Sequence, residues 1–123
     1  IEFDYDYVEC ISTLNRHHEI MAKESRANSP KCKGTDYDED IREYLEAVGV
    51  SEHLDEDIKR MQIPAIQGAL AKEPLYVQEM DVRESDGSVR RKMLRYAYMD
   101  REMGIVVKTC TDIEDILFPE YDP

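Results

Sequence analysis

Residues Leu75 to Asp112, LYVQEMDVRESDGSVRRKMLRYAYMDREMGIVVKTCTD, decide the fold of this chain. Their β-branched and aromatic residues predict three consecutive strands: Leu75 to Arg83, Val89 to Met99 and Ile105 to Thr111. The Asp86–Gly87 pair predicts the first hairpin turn. Gly104 suits a left-handed or bulge position in the longer second turn. The stretch therefore predicts an antiparallel meander that ends on acidic residues.

Two more strands are predicted near the start of the chain, Tyr5 to Ser12 and His18 to Ala22. Thr13 to Arg16 can form the turn between them. The segment from Lys23 to Thr35 is polar and contains Ser, Asn, Pro and Gly, so it is predicted as a loop.

Two helical patterns separate this hairpin from the meander. Asp36 is a predicted N-cap, and an apolar stripe at Ile41, Tyr44, Leu45 and Val48 predicts about three helical turns that end at Gly49. A second pattern begins near Ser51 or Asp55 and is interrupted at Pro64. Pro64 either kinks one helix or stands at the first position of a separate one.

The order of these elements predicts an α+β fold. We expect a five-stranded antiparallel sheet, with helices inserted between strands two and three and covering one face. The length of 123 residues fits one domain. Residues 1–113 are predicted to form that domain, and residues 114–123 an exit segment towards a downstream output domain.

Composition excludes several classes of partner. The net charge of −12 argues against nucleic acid and anionic membranes, because both attract basic surfaces. Apolar runs are far shorter than the ~20 residues of a membrane span, and the first residues lack the apolar core of a signal peptide. Three cysteines without CxxC spacing fit reduced thiols and a cytoplasmic location.

The layout resembles the PAS domain, a sensory module of bacterial signalling proteins. Residues 86–96 resemble the family's turn and long fourth strand, and residues 105–113 resemble its last strand. The family's exit motif is Asp-x-Thr; Asp112 matches its Asp, and Glu114 stands where Thr is expected. The chain looks most like the divergent PAS domains that precede diguanylate cyclase (GGDEF) domains. The resemblance implies a cytoplasmic homodimer that relays a signal through Asp112 and Glu114 to a C-terminal output domain.

The long predicted strand also carries the candidate ligand site. Leu94, Tyr96 and Tyr98 alternate onto one face and Arg95 onto the other, and which face meets the helices stays open. Tyrosine hydroxyls in a half-buried pocket can orient a polar ligand, and an arginine can hold a carboxylate. The candidate ligand-binding residues are Tyr76, Leu94, Arg95, Tyr96 and Tyr98. Ordinary packing of tyrosines against a sheet is the alternative.

No metal or cofactor is predicted. Asp36-x-Asp38-x-Asp40 begins like a calcium loop, but Ile41 and Ala47 stand where that loop needs Gly and Glu. His17 and His18 point to opposite faces of a strand, so the histidines are predicted at the surface and not as zinc ligands. The Asn-Cys-Arg motif of flavin-adduct PAS domains is missing, and nothing favours haem; the cofactor is left unknown.

Three functions remain. The first is a sensory domain that binds a small molecule or a partner and shifts an equilibrium towards an output domain, with a diguanylate cyclase as the expected output. The second is a homodimerisation module without a ligand. The third is a small enzyme that acts on a carboxylate with Tyr and Arg, although no nucleophile or base is placed.

Overall fold

In the part of the chain that the structure describes, six strands form a single antiparallel sheet in the order β3-β2-β1-β6-β5-β4. They are β1 (Tyr7–Ser12), β2 (His18–Lys23), β3 (Lys33–Gly34), β4 (Tyr76–Arg83), β5 (Val89–Asp100) and β6 (Ile105–Asp112). The helices are α1 (Tyr37–Val48), α2 (Leu54–Arg60) and α3 (Ile63–Leu70). These elements come from a computed structural model that describes residues 5–25 and 27–113.

The predicted five-stranded sheet is wrong, because the chain adds a sixth strand. Lys33 and Gly34 lie in the segment predicted as a loop, yet they pair with Glu19 and His18 of β2. The amide of Ile20 also donates to the carbonyl of Cys32 at 2.7 Å. The helices therefore lie between the third and fourth strands. A two-residue strand is formed by its partner's hydrogen bonds, so residue preference gives no sign of it.

The sheet has an inner face that packs against the helices and an outer face that does not share this core. On the inner face, strand residues and helix residues form one apolar cluster that includes Tyr7, Ile11, Leu94, Ile41 and Ile66. Leu94 and Tyr96 are fully buried there, which answers the question of which face of β5 meets the helices.

The helix signals in the sequence agree with the structure in part. The Asp36 side chain accepts a hydrogen bond from the amide of Glu39 at 3.3 Å, so Asp36 is the N-cap of α1. Pro64 stands in the first turn of α3, so two short helices abut. Gly49 differs from a left-handed C-terminal glycine: its φ is −67°, and it forms an isolated bridge with Val82.

The meander turns use their glycines as predicted. Gly87 and Gly104 have φ of 87° and 68°, a region that side chains disfavour. Across the described residues, none of the helices is both long enough and apolar enough to cross a lipid bilayer.

Candidate functional site

A row of charged and aromatic side chains crosses the buried inner face of the sheet. Glu9 of β1 lies opposite Lys108 of β6, and Lys108 lies opposite Tyr96 of β5. All three residues are 0% exposed. Lysine and glutamate are almost never fully buried unless they are paired, so Glu9 and Lys108 must find partners inside the protein. We call this arrangement the ionic row, and it comprises Asp40, His18, Glu9, Lys108, Tyr37 and Tyr96.

His18 connects the sheet to helix α1. Its Nδ1 lies 2.8 Å from Oε2 of Glu9, and its Nε2 lies 2.6 Å from Oδ2 of Asp40. The ring also packs edge-on against Tyr37, with centroids 5.5 Å apart. Both ring nitrogens thus face carboxylate oxygens inside the protein.

Lys108 continues the row towards the middle of the sheet. Its Nζ donates to the hydroxyl of Tyr37 at 3.0 Å and lies 3.2 Å from Oε1 of Glu9. The ammonium also lies 5.1–5.9 Å from the ring centroids of Tyr7, Tyr37 and Tyr96. Ring faces attract cations when water is excluded, so the aromatic surroundings offset part of the cost of burying this charge.

Burial and hydrogen bonding act in opposite directions on His18. Burial alone lowers the pKa of the ring, but the hydrogen bonds to Glu9 and Asp40 outweigh it and raise the pKa above 6.5. Burial also holds the pKa of the Tyr37 and Tyr96 hydroxyls well above the ordinary value for tyrosine. The tyrosines therefore stay neutral, while the imidazole favours its charged form.

A surface groove of about 570 Å³ reaches the same histidine. It lies at the end of the sheet where β1, β2 and β3 meet. Its lining residues are Cys10, Ile11, Ser12, His17, His18, Glu19, Lys31, Lys33, Gly34, Thr35 and Ile105. Lys31 approaches Asp40, with Nζ 3.9 Å from Oδ1. Lys31, Lys33 and Glu19 give the groove charged side chains, whereas the side chain of His18 is 0% exposed, so His18 borders the groove only through its backbone.

Gly34 of β3 covers the contact between His18 and Asp40. A Cβ at this position would overlap the Asp40 carboxylate and would lie 2.5 Å from Nε2 of His18. The close approach of backbone to these side chains therefore requires glycine. In this way the short edge strand forms a lid over one end of the ionic row.

The structure brings together only some of the predicted ligand-binding residues. The rings of Tyr76 and Tyr96 lie 5.6 Å apart on the inner face, and Leu94 is buried beside them. Tyr98 lies under the guanidinium of Arg101, 4.7 Å from its ring centroid. Arg95 is exposed on the outer face. Binding of a ligand by these five residues stays a prediction.

Asp112, the predicted relay residue, belongs to a second buried ionic cluster. Its Oδ2 accepts from Nε of Arg90 at 2.8 Å and lies 3.3 Å from Nζ of Lys92. Lys92 also contacts Asp6 at 2.6 Å and Glu84 at 2.8 Å. The cluster joins the start of β1, the β4–β5 turn and the end of β6. Glu114, the other predicted relay residue, lies outside the described residues.

Replacing Asp112 with alanine is expected to lower the free energy of unfolding by about 1–3 kcal/mol. The reason is that Lys92 and Arg90 lose a buried acceptor, although Lys92 keeps Asp6 and Glu84. Urea denaturation measures the loss. Asp81→Ala is the control, because Asp81 pairs with Arg91 nearer the surface, and such pairs contribute about 0–1 kcal/mol. Equal losses in the two variants would contradict a structural role for the buried Asp112.

The acidic triplet at the start of α1 serves three separate purposes. Asp36 caps the helix, and Oδ1 of Asp38 accepts from the amide of Ile63 at 2.7 Å. Asp40 binds His18. Within residues 5–25 and 27–113, no three His, Cys, Asp or Glu side chains converge as a metal site would require.

The sequence prediction missed His18 and Glu9. Surface positions were expected for all the histidines, but His18 is 3% exposed. The missed signal was alternation: Glu9 shares a strand face with Tyr7 and Ile11, and His18 shares one with Ile20. A charged residue that alternates in step with the apolar face of a strand indicates a buried ionic partner.

No protein-family model matches this chain. A search of curated proteins likewise finds no similar sequence.

Proposed function

We propose that this chain is a sensory domain that binds a small molecule in the groove and transmits the binding event through the ionic row. One observation carries the proposal: the backbone of His18 borders the groove, while its buried side chain belongs to a network that spans four strands. An occupant that changes the contacts of His18, Gly34 or Lys31 alters the surroundings of Asp40 and Glu9 directly.

The mechanism is a shift between two arrangements of the ionic row. A ligand shifts an equilibrium only by its difference in affinity between the two states. A buried ionic network can switch between two states because its hydrogen bonds are either made or lost. A state in which some buried polar groups lack partners costs free energy and is therefore sparsely populated. A ligand that competes for Lys31 or displaces the β3 lid favours the state in which Asp40 and His18 separate. That change reaches Lys108 and Tyr96 through Glu9.

The resemblance to PAS domains supports the wider role. We propose a cytoplasmic homodimer that passes this change to an output domain attached at the C-terminal end, of the diguanylate cyclase type. The cluster around Asp112 supports a path to that end, because it ties the last residues of β6 to the start of β1. A small molecule is the proposed ligand, and no catalytic step is assigned to the domain.

A second candidate is a homodimerisation module without a ligand. The observation in its favour is the outer face of the sheet, where Val8, Cys10, Met93, Ala97 and Val107 are each half-buried. Apolar side chains that share one face of neighbouring strands suit contact with another apolar surface. This candidate uses the outer face as an interface, which includes Cys10 of the groove lining, and assigns no ligand to the groove.

Native mass spectrometry of the purified domain distinguishes the two candidates. We expect a dimer that carries a reproducible additional mass. The mass should be lost in Ser12→Trp, because an indole at this groove position fills the cavity. It should be retained in Thr109→Trp, a matched change on β6 away from the groove. A bare dimer at the calculated mass would instead support the homodimerisation module.

A further inference from the structure

Two hydrogen bonds to a single imidazole tie β1 and α1 to β2 beneath the β3 edge of the sheet. His18 is anchored to Glu9 of β1 through one nitrogen and to Asp40 of α1 through the other. The backbone of β3 covers the second contact at Gly34 and is attached by the Ile20–Cys32 hydrogen bond. The protonation state of the His18 ring therefore affects β1, α1 and β3 together.

The geometry favours a doubly protonated ring between two ionised carboxylates. A neutral imidazole has one N–H donor and one acceptor nitrogen, whereas an imidazolium has two donors. Both partners here are carboxylates, which only accept when they are ionised. With a neutral His18, one nitrogen lone pair would face a carboxylate lone pair at 2.6 or 2.8 Å. The row also holds two carboxylates against one lysine, so a charged His18 brings it to electrical balance.

We propose that His18 is a protonation switch, in which the imidazolium locks β3 and the start of α1 onto the sheet and its deprotonation releases this edge of the groove. The proposal does not depend on a ligand, because it concerns a contact within the chain. It adds a response to pH that the sensory role does not require.

The charged groups around His18 come from every element packed on it. Glu9 of β1 and Asp40 of α1 contact the ring, and Lys31 approaches Asp40 from the segment before β3. Lys108 of β6 acts on the ring through Glu9. Tyr37 of α1 stays neutral because burial raises its pKa. Among these residue types, histidine is the one whose ordinary titration falls between about pH 5 and 8.

The sign of the effect follows from the raised pKa. The locked state holds the proton more tightly than the open state, so the lock is complete below the open-state pKa of about 6.5. It weakens as the pH rises through the higher pKa of the locked state. Alkaline conditions should therefore open the β3 edge, and mild acid should close it.

Two NMR measurements on the same sample test this proposal. The first follows the ring nitrogens of His18 from about pH 5 to pH 10, with the exposed His17 and His53 as references. We expect both His18 nitrogens to be protonated at neutral pH. The second follows hydrogen exchange of the Ile20 amide, corrected for its intrinsic rate. The Val50 amide, bonded to Asp81 at the opposite edge of the sheet, is the control.

The two measurements must agree in magnitude. For each unit by which the pKa of His18 exceeds about 6.5, the protection factor of the Ile20 amide should fall about tenfold between the acidic and the alkaline end of the titration. The Val50 amide should change little. A neutral His18 ring at pH 6.5 would overturn the proposal, and so would constant Ile20 protection while His18 titrates.

Two variants keep the test informative. His18→Gln removes the titrating group, so Ile20 protection should become independent of pH. Asp40→Asn keeps the ring but removes one carboxylate, so the His18 pKa and the pH-dependent loss of protection should fall together. An Asp40→Asn protein with an unchanged His18 pKa would show that the contact with Asp40 does not hold the proton.

Discussion

Replacing Glu9 with glutamine is expected to lower the free energy of unfolding by about 3–5 kcal/mol. Glutamine has nearly the same shape, so the change removes charge and little volume. His18 and Lys108 then remain inside the protein as two cations that have lost their shared carboxylate. Removing one partner of a buried ionic network costs far more than the network contributes, since it leaves charge uncompensated away from water. Urea or thermal denaturation near pH 6 measures the loss.

Glu19→Gln is the matched control for this prediction. Glu19 lies on β2, the strand next to β1, and is exposed to solvent. The same chemical change there should alter the free energy of unfolding by about 0.5 kcal/mol or less. A double-mutant cycle with Lys108→Met separates the pair from its surroundings, because the second change removes the stranded ammonium. Equal, small effects of Glu9→Gln and Glu19→Gln would contradict a charged, buried row.

The meander was predictable from sequence because its signals are local. The Asp86–Gly87 turn and Gly104 determine where the chain reverses, and runs of β-branched and aromatic residues occupy β4, β5 and β6. Helix α1 was also predictable, from the N-cap residue Asp36 and the apolar stripe that includes Ile41. Each of these elements depends on residues within a few positions of one another.

Strand β3 was not predictable, because nothing in Lys33 or Gly34 favours an extended pairing. Its place in the sheet depends on β2 and on the side chains beneath it, which come from far along the chain. The ionic row was missed for a related reason. A single sequence shows that Glu9 and Lys108 are charged, but only the pairing of β1 with β6 shows that they neutralise each other.

Buried ionic rows bear on specificity as much as on stability. An apolar row of the same volume is often equally or more stable, so the charges need a further reason. In this chain the observed register of β1 against β6 places Glu9 opposite Lys108, and His18 ties α1 to β2. A one-residue slip would place Glu9 on the outer face and leave Lys108 without its carboxylate. The same dependence on discrete contacts makes the row responsive to protonation.

Replacing Gly34 with alanine is expected to lower the free energy of unfolding by about 2–3 kcal/mol, although alanine is a small residue. The added methyl group overlaps the Asp40 carboxylate and crowds Nε2 of His18. Side-chain ends often move aside at little cost, but these two are held to each other at 2.6 Å and His18 is held by Glu9. Either β3 leaves the sheet and loses its pairing with β2, or the charge-assisted hydrogen bond between His18 and Asp40 breaks.

Gly68→Ala is the matched control, and its effect should have the opposite sign. Gly68 lies in α3, and a Cβ there would meet nothing within 4 Å. Alanine should stabilise the helix by about 0.5–1 kcal/mol, because glycine loses more backbone freedom on folding. If β3 is a lid over the ionic row, Gly34→Ala should also raise the exchange rate of the Ile20 amide and leave Val50 unchanged. A Gly34→Ala protein that is as stable as the parent, with Ile20 still protected, would show that the lid does not rest on His18 and Asp40.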